Sequence, residues 1–196
     1  MSYLRASHRP PSIRFVVLPR SIRAARPDDP AVIAAVYAPY VEDTAISFEA
    51  TSPDAAEMRR RILAQPRLPW LVATRGDDVV GYAYASQHRT RAAYRWSVDC
   101  SVYLAEQEHG HGTGRALYEL LFGQLRDLGF ASVYAGIALP NDASVGLHEA
   151  MGFQPVGVYR QVGFKLGRWY DVGWWQFALA DAPESPAEPR EWPPGC

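Results

Sequence analysis

At 196 residues the chain has room for one domain with a substantial core. Its charge is nearly balanced (20 Lys and Arg against 21 Asp and Glu, net −1), which gives neither nucleic acid nor an acidic membrane surface an electrostatic footprint. Two cysteines, Cys100 and Cys196, are too few for a disulfide framework and fit a reducing cytoplasm.

Residues 1 to about 20, rich in Arg, Pro and Ser, read as a flexible arm, and the apolar run Phe15-Val16-Val17-Leu18 is too short for a signal or a membrane span. Ser21 to Ala25 follows as a short strand. Asp28 or Asp29 caps a helix with Pro30 at its first position, and Ser52-Pro53-Asp54 opens a second helix by the same logic. Trp70 to Thr74 and Val79 to Ala85 pair as antiparallel strands across the turn Arg75-Gly76-Asp77-Asp78. A further strand alternates Val98, Cys100, Val102 and Leu104 on one face. It runs into the glycine-rich turn His109-Gly110-His111-Gly112-Thr113-Gly114 and then into a long helix. Leu117, Leu120, Leu121, Leu125 and Leu128 are expected on that helix's buried face, with Gly129 closing it. Ala131 to Ile137 reads as a buried strand, and Asn141 or Asp142 caps a shorter helix ending at Met151-Gly152. Phe153 to Tyr159 and Trp174 to Leu179 are the last expected strands. The whole is an α/β (α+β) fold, a mixed sheet with helices on both faces over residues 21–180. A Pro-rich tail, 181–196, lies loose or draped on the surface.

The glycine turn is the most informative stretch. The first N–H groups of a helix have no partner within it and carry its positive dipole end, and glycines let backbone approach an anion closely. The turn is no Walker loop, because no Gly-Lys-Ser/Thr follows, and its glycine spacing is wrong for a dinucleotide fingerprint. On spacing alone it reads equally as a phosphate-binding turn or as a plain glycine-rich connection. His109 and His111 have no acidic or thiol companion nearby, so no metal is expected.

The order of elements and two motifs resemble the GCN5-related N-acetyltransferase (GNAT) superfamily. His109-Gly110-His111-Gly112-Thr113-Gly114 fits that superfamily's Gln/Arg-x-x-Gly-x-Gly/Ala pyrophosphate motif, with His at the first position. Asn141, Ser144, Leu147-His148 and Gly152-Phe153 fit its second signature, with His in place of Tyr. Within the superfamily the chain looks most like the phosphinothricin N-acetyltransferases. That likeness is carried by Ala93-Tyr94-Arg95-Trp96, Ser101-Val102-Tyr103, Leu139-Pro140-Asn141-Asp142 and Gly163-Phe164-Lys165 through Gly173. The resemblance implies a GNAT-type mixed, mostly antiparallel twisted sheet flanked by helices, and acetyl-CoA as co-substrate. It also implies a small amino acid such as phosphinothricin or methionine sulfoximine as acceptor, a homodimer, and no metal.

Residue by residue, the resemblance implies that the backbone N–H groups of Gly112, Thr113, Gly114 and Arg115 bind the pyrophosphate. His109 and Gly110 complete the turn, Asn141 stands beside the cofactor, and the strand backbone at Val102 and Tyr103 takes the pantetheine arm. A protonated amine must lose a proton before it attacks a thioester. Asp99 holds the position of the family's suggested glutamate base, one methylene shorter; the alternative is a structural carboxylate. His148 holds the place of a tyrosine that protonates the departing thiolate; the alternative is a structural histidine. Alternation turns Cys100 away from Asp99, so a packing cysteine is expected rather than a nucleophile. Arg89, Arg91 and Tyr94 lie where the family binds the substrate's anions, and arginine forks suit that task. Phe48 and Val172 match pocket-lining positions, and Ala138 stands where members commonly have glycine. Trp169, Tyr170, Trp174, Trp175 and Phe177 lack basic interleaving and point to core or subunit interface rather than to nucleic-acid stacking. Two other readings compete: acetylation of another amine, such as an amino acid or peptide N-terminus, and a non-catalytic acyl-CoA sensor.

Overall fold

The computed structural model describes residues 20–181 and 184–192. The expected N-terminal arm therefore lies outside the described residues except for Arg20, as do Cys196 and parts of the Pro-rich tail. Strands β1 (Arg20–Ala24), β2 (Trp70–Arg75), β3 (Asp78–Gln87) and β4 (Ser97–Leu104) pair in that order, each antiparallel to the next. Strands β5 (Ser132–Leu139), β6 (Gln154–Lys165) and β7 (Arg168–Ala178) form a second antiparallel leaf in the order β5-β7-β6. The leaves meet in one seven-stranded sheet through a short parallel seam, Ser97↔Ser132, Val98↔Val133 and Asp99↔Tyr134. Beyond Asp99, β4 and β5 part.

Helices α1 (Pro30–Glu42) and α2 (Ala55–Ile62) cover one face, packing Ile33, Tyr37, Val41 and Met58 on Val72 and Tyr82. Helix α3 (Thr113–Leu128) and helix α4 (Asp142–Ala150) lie on the other face. There Leu117, Leu121, Leu125 and Leu128 meet Val98 and Cys100 from β4 and Val133 and Ala135 from β5, so α3 spans both leaves. Each such aliphatic side chain contributes about 1.5–3 kcal/mol of burial. Leu120, expected on the same stripe, is instead exposed. One helical step of about 100° separates it from Leu121, enough to carry it past the edge of the stripe.

Asp54 caps α2 as expected, its carboxylate accepting the Glu57 amide at 2.8 Å. Asp29 precedes α1 with Pro30 following, but its side chain does not cap. It accepts both nitrogens of the Arg23 fork at 2.7 and 2.9 Å and the Arg26 amide at 2.5 Å. A bidentate guanidinium is the stronger partner, so it holds the carboxylate on β1 rather than on the helix.

The last two strands depart most from expectation. In place of Phe153–Tyr159 and Trp174–Leu179, β6 runs on to Lys165 and β7 begins at Arg168, making one long hairpin. Its turn puts Leu166 and Gly167 at φ 49° and 77°, and the pairing slips between Tyr159 and Gly163, where Gln161 has φ 47°. Asp171 holds that bulge, accepting from Gln161 N at 2.8 Å and from Arg160 at 2.7 Å. The described part of the tail contacts the domain: Trp96 Nε1 donates to the Ala187 carbonyl at 2.8 Å, Trp192 N to the Arg67 carbonyl at 2.9 Å, and the Trp192 side chain packs on the core.

Candidate active site

The parting of β4 from β5 exposes strand edges that a continuous sheet would satisfy. At the wide end the β4 edge is capped by Tyr40 of α1, whose hydroxyl donates to the Leu104 carbonyl at 2.5 Å and accepts the Leu104 amide at 3.2 Å. Backbone groups alternate sides along a strand, so the N–H and C=O of Cys100 and Val102 point the same way as those of Leu104, into the gap. Those of Tyr103 face β3, opposite Tyr82, while its ring wedges against Tyr37 and Tyr40 at centroid distances of 4.7 and 5.0 Å. Tyr40 has spent its one proton on Leu104, so its contact with His109 at 2.9 Å is a donation from His109 Nε2.

The glycine turn leads from β4 to α3. Gly110 and Gly112 have φ of 75° and 74°, and a Cβ at either would meet nothing within 4 Å, so glycine is present for conformation. At Gly114 a Cβ would stand 3.2 Å from Leu147 Cδ2, so this glycine serves the close packing of α3 against the residues of α4. Under the turn, Thr113 Oγ1 donates to Glu108 at 2.7 Å, and Arg75 pairs with the same carboxylate at 2.9 Å. Arg75 beside it, the larger effect, and the Thr113 hydroxyl hold the Glu108 carboxyl below its usual range. The side chain of Thr113 is thus used internally, leaving the first amides of α3 turned outward. Arg115 folds back onto the Ala150 carbonyl at 3.0 Å.

A cavity of about 460 Å³ opens on the α1 face of the sheet beside the parting strands, within the range of small-molecule sites. Asp99, Phe48, Ala138 and Val172 line it, with Tyr37 and with Trp174, which the sequence analysis assigned to core or subunit interface. A smaller cavity of about 60 Å³ is lined by His148, Asn141, Val102 and Tyr118. Cys100, Ser101, Tyr103, Gly136 and Ala138 border both, so the two adjoin across the gap. Arg89, Arg91 and Tyr94 are not in either lining. Arg89 reaches over the Trp174 ring at 5.5 Å, Tyr94 stands edge-on to His88 at 6.0 Å, and Arg91 is exposed.

Asp99 occupies the last rung of the parallel seam. Its Oδ1 accepts the Nδ1–H of His88 at 2.6 Å, a partner absent from the sequence reading. Burial pushes the Asp99 carboxyl above its ordinary range, with His88 acting in the opposite sense. His148 is buried on α4. Its Nδ1–H donates to the Ser144 carbonyl at 2.7 Å, so Nε2 carries the lone pair and accepts the Tyr118 hydroxyl at 3.1 Å. Burial lowers its affinity for a proton, which favours this neutral form. Asn141 caps α4 by accepting the Ser144 amide at 3.1 Å. Cys100 is buried, and burial pushes its thiol up to about 12, which suits packing and not attack.

Lys165, the chain's single lysine, donates to the Val41 carbonyl at 2.5 Å and the Ser47 carbonyl at 2.7 Å, tying β6 to the segment that carries Phe48. Gly163 lies directly under the Phe48 ring: a Cβ there would come within 2.1 Å of it. On the same segment Ser47 meets the Tyr37 hydroxyl at 2.6 Å, and Tyr37 donates to Glu49 at 2.9 Å. His88, Tyr37, Tyr40 and Tyr118 are neighbours of the candidate site that the sequence analysis did not find. Each acts across 10 or more positions of sequence, His88 through strand register and the tyrosines through the packing of helices α1 and α3.

Among the described residues no group of three or more His, Cys, Asp or Glu is arranged to hold a metal, and no helix is long and apolar enough to cross a membrane. Residues 22–174 match the acetyltransferase (GNAT) domain family. The chain is 42% identical over 155 residues to the phosphinothricin N-acetyltransferase of Alcaligenes faecalis, covering 78% of this chain and 79% of that protein. It is 34% identical over 169 residues to the L-methionine sulfoximine/L-methionine sulfone acetyltransferase of Pseudomonas paraeruginosa, covering 85% of this chain and 98% of that one. Its fold is similar, at a TM-score of 0.82 and 36% identity, to the crystal structure of a GNAT superfamily phosphinothricin acetyltransferase from Sinorhizobium meliloti in complex with AcCoA, covering 86% of this chain and 94% of that chain.

Proposed function

The chain belongs to the GNAT acetyltransferase family, and from that premise we propose that it uses acetyl-CoA to acetylate the α-amino group of a small anionic amino acid. Phosphinothricin and methionine sulfoximine are the leading acceptors. The observation that carries this reading is the meeting of two cavities across the parted strands, with a carboxylate, Asp99, at the point where the strands separate.

The chain's groups fit acetyl-CoA by chemistry. The outward amides of Gly112, Thr113, Gly114 and Arg115, at the positive end of α3, suit a pyrophosphate. His109 and Gly110 shape the approach, the free N–H and C=O of Val102 suit the amides of the pantetheine arm, and Asn141 borders the path. On the opposite face Phe48, Ala138 and Val172 enclose the amino acid, while Arg89, over the lining Trp174, and Arg91 and Tyr94 on the same 88–96 segment would have to reach its anions from outside the lining. Asp99 takes the ammonium proton. The freed amine attacks the thioester carbonyl, the C–S bond breaks, and the nitrogen's excess proton passes to the departing sulfur, which leaves as the thiol on the side of His148 and Tyr118. Neutral His148, its Nδ1–H held by Ser144, has no proton to give; the Tyr118 hydroxyl would serve the sulfur by turning away from Nε2.

The acetyltransferase domain spans residues 21–180 in this reading, and the protein works in the cytoplasm as a homodimer. The support for a dimer is β6, the edge of the sheet, where Val156, Val162, Phe164 and, from β7, Trp169 are each more than half exposed. A row of apolar side chains on an open edge is a pairing surface. The test is release of CoA thiol from acetyl-CoA with phosphinothricin, methionine sulfoximine, a panel of amino acids and an N-terminal peptide. Release with either of the first two supports the reading. Release only with another amine refutes the acceptor and directs attention to the methyl of Ala138. Binding of acetyl-CoA without turnover on any amine refutes catalysis in favour of a sensor. Sedimentation at micromolar concentration tests the dimer.

A further inference from the structure

We propose that His88 and Asp99 act as a hydrogen-bonded pair, in which His88 fixes the Asp99 carboxylate for proton transfer from the amine. The inference rests on the reading of Asp99 as proton acceptor and makes His88 a positioning residue for it.

Register places the two together. Ser86 of β3 lies opposite Asp99 of β4, so His88, two residues on, shares the face of Asp99 as its diagonal neighbour. The imidazole is held from several sides. It stacks on Tyr134 of β5 at 4.4 Å and 19°, and it meets Tyr94 and Trp174 edge-on at 6.0 and 6.1 Å. Its side chain is 11% exposed against 26% for Asp99, so the histidine sits behind the carboxylate and the carboxylate faces the cavity. An aspartate side chain is short, and its terminal torsion is broad. The 2.6 Å contact to Oδ1 removes that freedom, and among the described residues Oδ2 has no hydrogen-bond partner. Oδ2 is therefore the atom that receives the proton: an ammonium N–H breaks, an Oδ2–H forms, and the Nδ1–H of His88 stays where it is.

Arg89, beside His88 in the chain, also favours the ionised form of Asp99.

The experiment compares kcat and KM with phosphinothricin and acetyl-CoA from about pH 5 to 9 for the wild type, His88→Phe, His88→Asn and Asp99→Asn. His88→Phe keeps the ring stack without the donor and is expected to lose about tenfold in kcat with the KM for acetyl-CoA unchanged. His88→Asn places an N–H donor near the same position and is expected to recover much of the rate. Asp99→Asn is expected to lose about 100-fold or more. A His88→Phe enzyme with wild-type kcat overturns the proposal while leaving Asp99 as acceptor, provided Asp99→Asn is impaired. A folded His88→Asn enzyme that is itself about tenfold slower in kcat overturns the role of the donor. An Asp99→Asn enzyme at wild-type rate overturns Asp99 as acceptor and this inference with it. Should His88→Phe fail to fold, as read from its melting curve, His88→Asn alone decides.

Discussion

Replacing Lys165 by Met should damage both stability and substrate binding, through contacts that reach neither cofactor nor acceptor. The ammonium donates to two carbonyls, Val41 O at 2.5 Å and Ser47 O at 2.7 Å, from two buried residues. The Val41 carbonyl is among the last four of α1, which have no acceptor role within the helix, so Lys165 acts there as a C-terminal cap as well as a favourable charge at the negative dipole end. A hydrogen bond to a charged group is worth about 1.5–3 kcal/mol net. Two of them give about 3–6 kcal/mol, and water reaching the half-buried site recovers part, leaving an expected loss of about 3 kcal/mol. Because Ser47 precedes Phe48 and Phe48 rests on Gly163, the released segment should also raise the KM for the amino acid while leaving the KM for acetyl-CoA near its starting value. Urea unfolding gives the first quantity and initial rates the second. A stability loss below about 1 kcal/mol would refute the capping argument. A KM for the amino acid unchanged alongside a full stability loss would refute the link from β6 to the cavity.

The ion pair beneath the glycine turn predicts a pH effect. Glu108 is held below its usual range by Arg75 and Thr113, so its contribution to stability is present above the unfolded carboxyl's value near 4.3 and is lost as pH falls through the lower folded value. Thermal melting followed downward from about pH 6 should therefore fall less for Glu108→Gln than for the wild type, and equal slopes would contradict this. Gly112→Ala should cost about 1–2 kcal/mol from its left-handed φ alone, whereas Gly114→Ala should act through Leu147 and the α3–α4 contact; calorimetry together with acetyl-CoA titration separates them. Cys100→Ser should retain most activity, since the thiol is buried and packs with Val98 and Leu117. Loss of turnover together with a kinetic burst would overturn that assignment.

Much of the scaffold is legible in the sequence because its signals are local. The Asp54 cap, the Gly76-Asp77 turn, the Val98–Leu104 alternation and the Gly129 terminus are each written within a few residues of where they act. The long hairpin was hidden for two physical reasons. Its turn places Leu166 at positive φ where asparagine or aspartate gives the usual signal, and the bulge at Gln161 reverses the alternation midway. Asp29 looked like a cap because nothing local announced Arg23 as a competing partner. At the site, Asp99 and the glycine turn were visible through the resemblance. His88 was not, because its meaning depends on the β3–β4 register across a segment of nine residues, 88–96, that carries no hairpin code.

The three-rung seam between the leaves has a mechanical corollary. All other strand pairings lie within one leaf or the other, so the leaves can spread about Ser97–Asp99 and Ser132–Tyr134 without breaking an antiparallel rung. What resists spreading is α3, whose leucines grip both leaves, and Lys165, which ties β6 to the end of α1 and to Ser47. Amide hydrogen exchange should therefore divide the sheet along this line. The seam amides and the Leu104 amide should exchange through a low-energy opening, while those of β2–β3 and β5–β7 await global unfolding. A bound ligand lying along the gap would act as the missing rungs and slow the first group selectively.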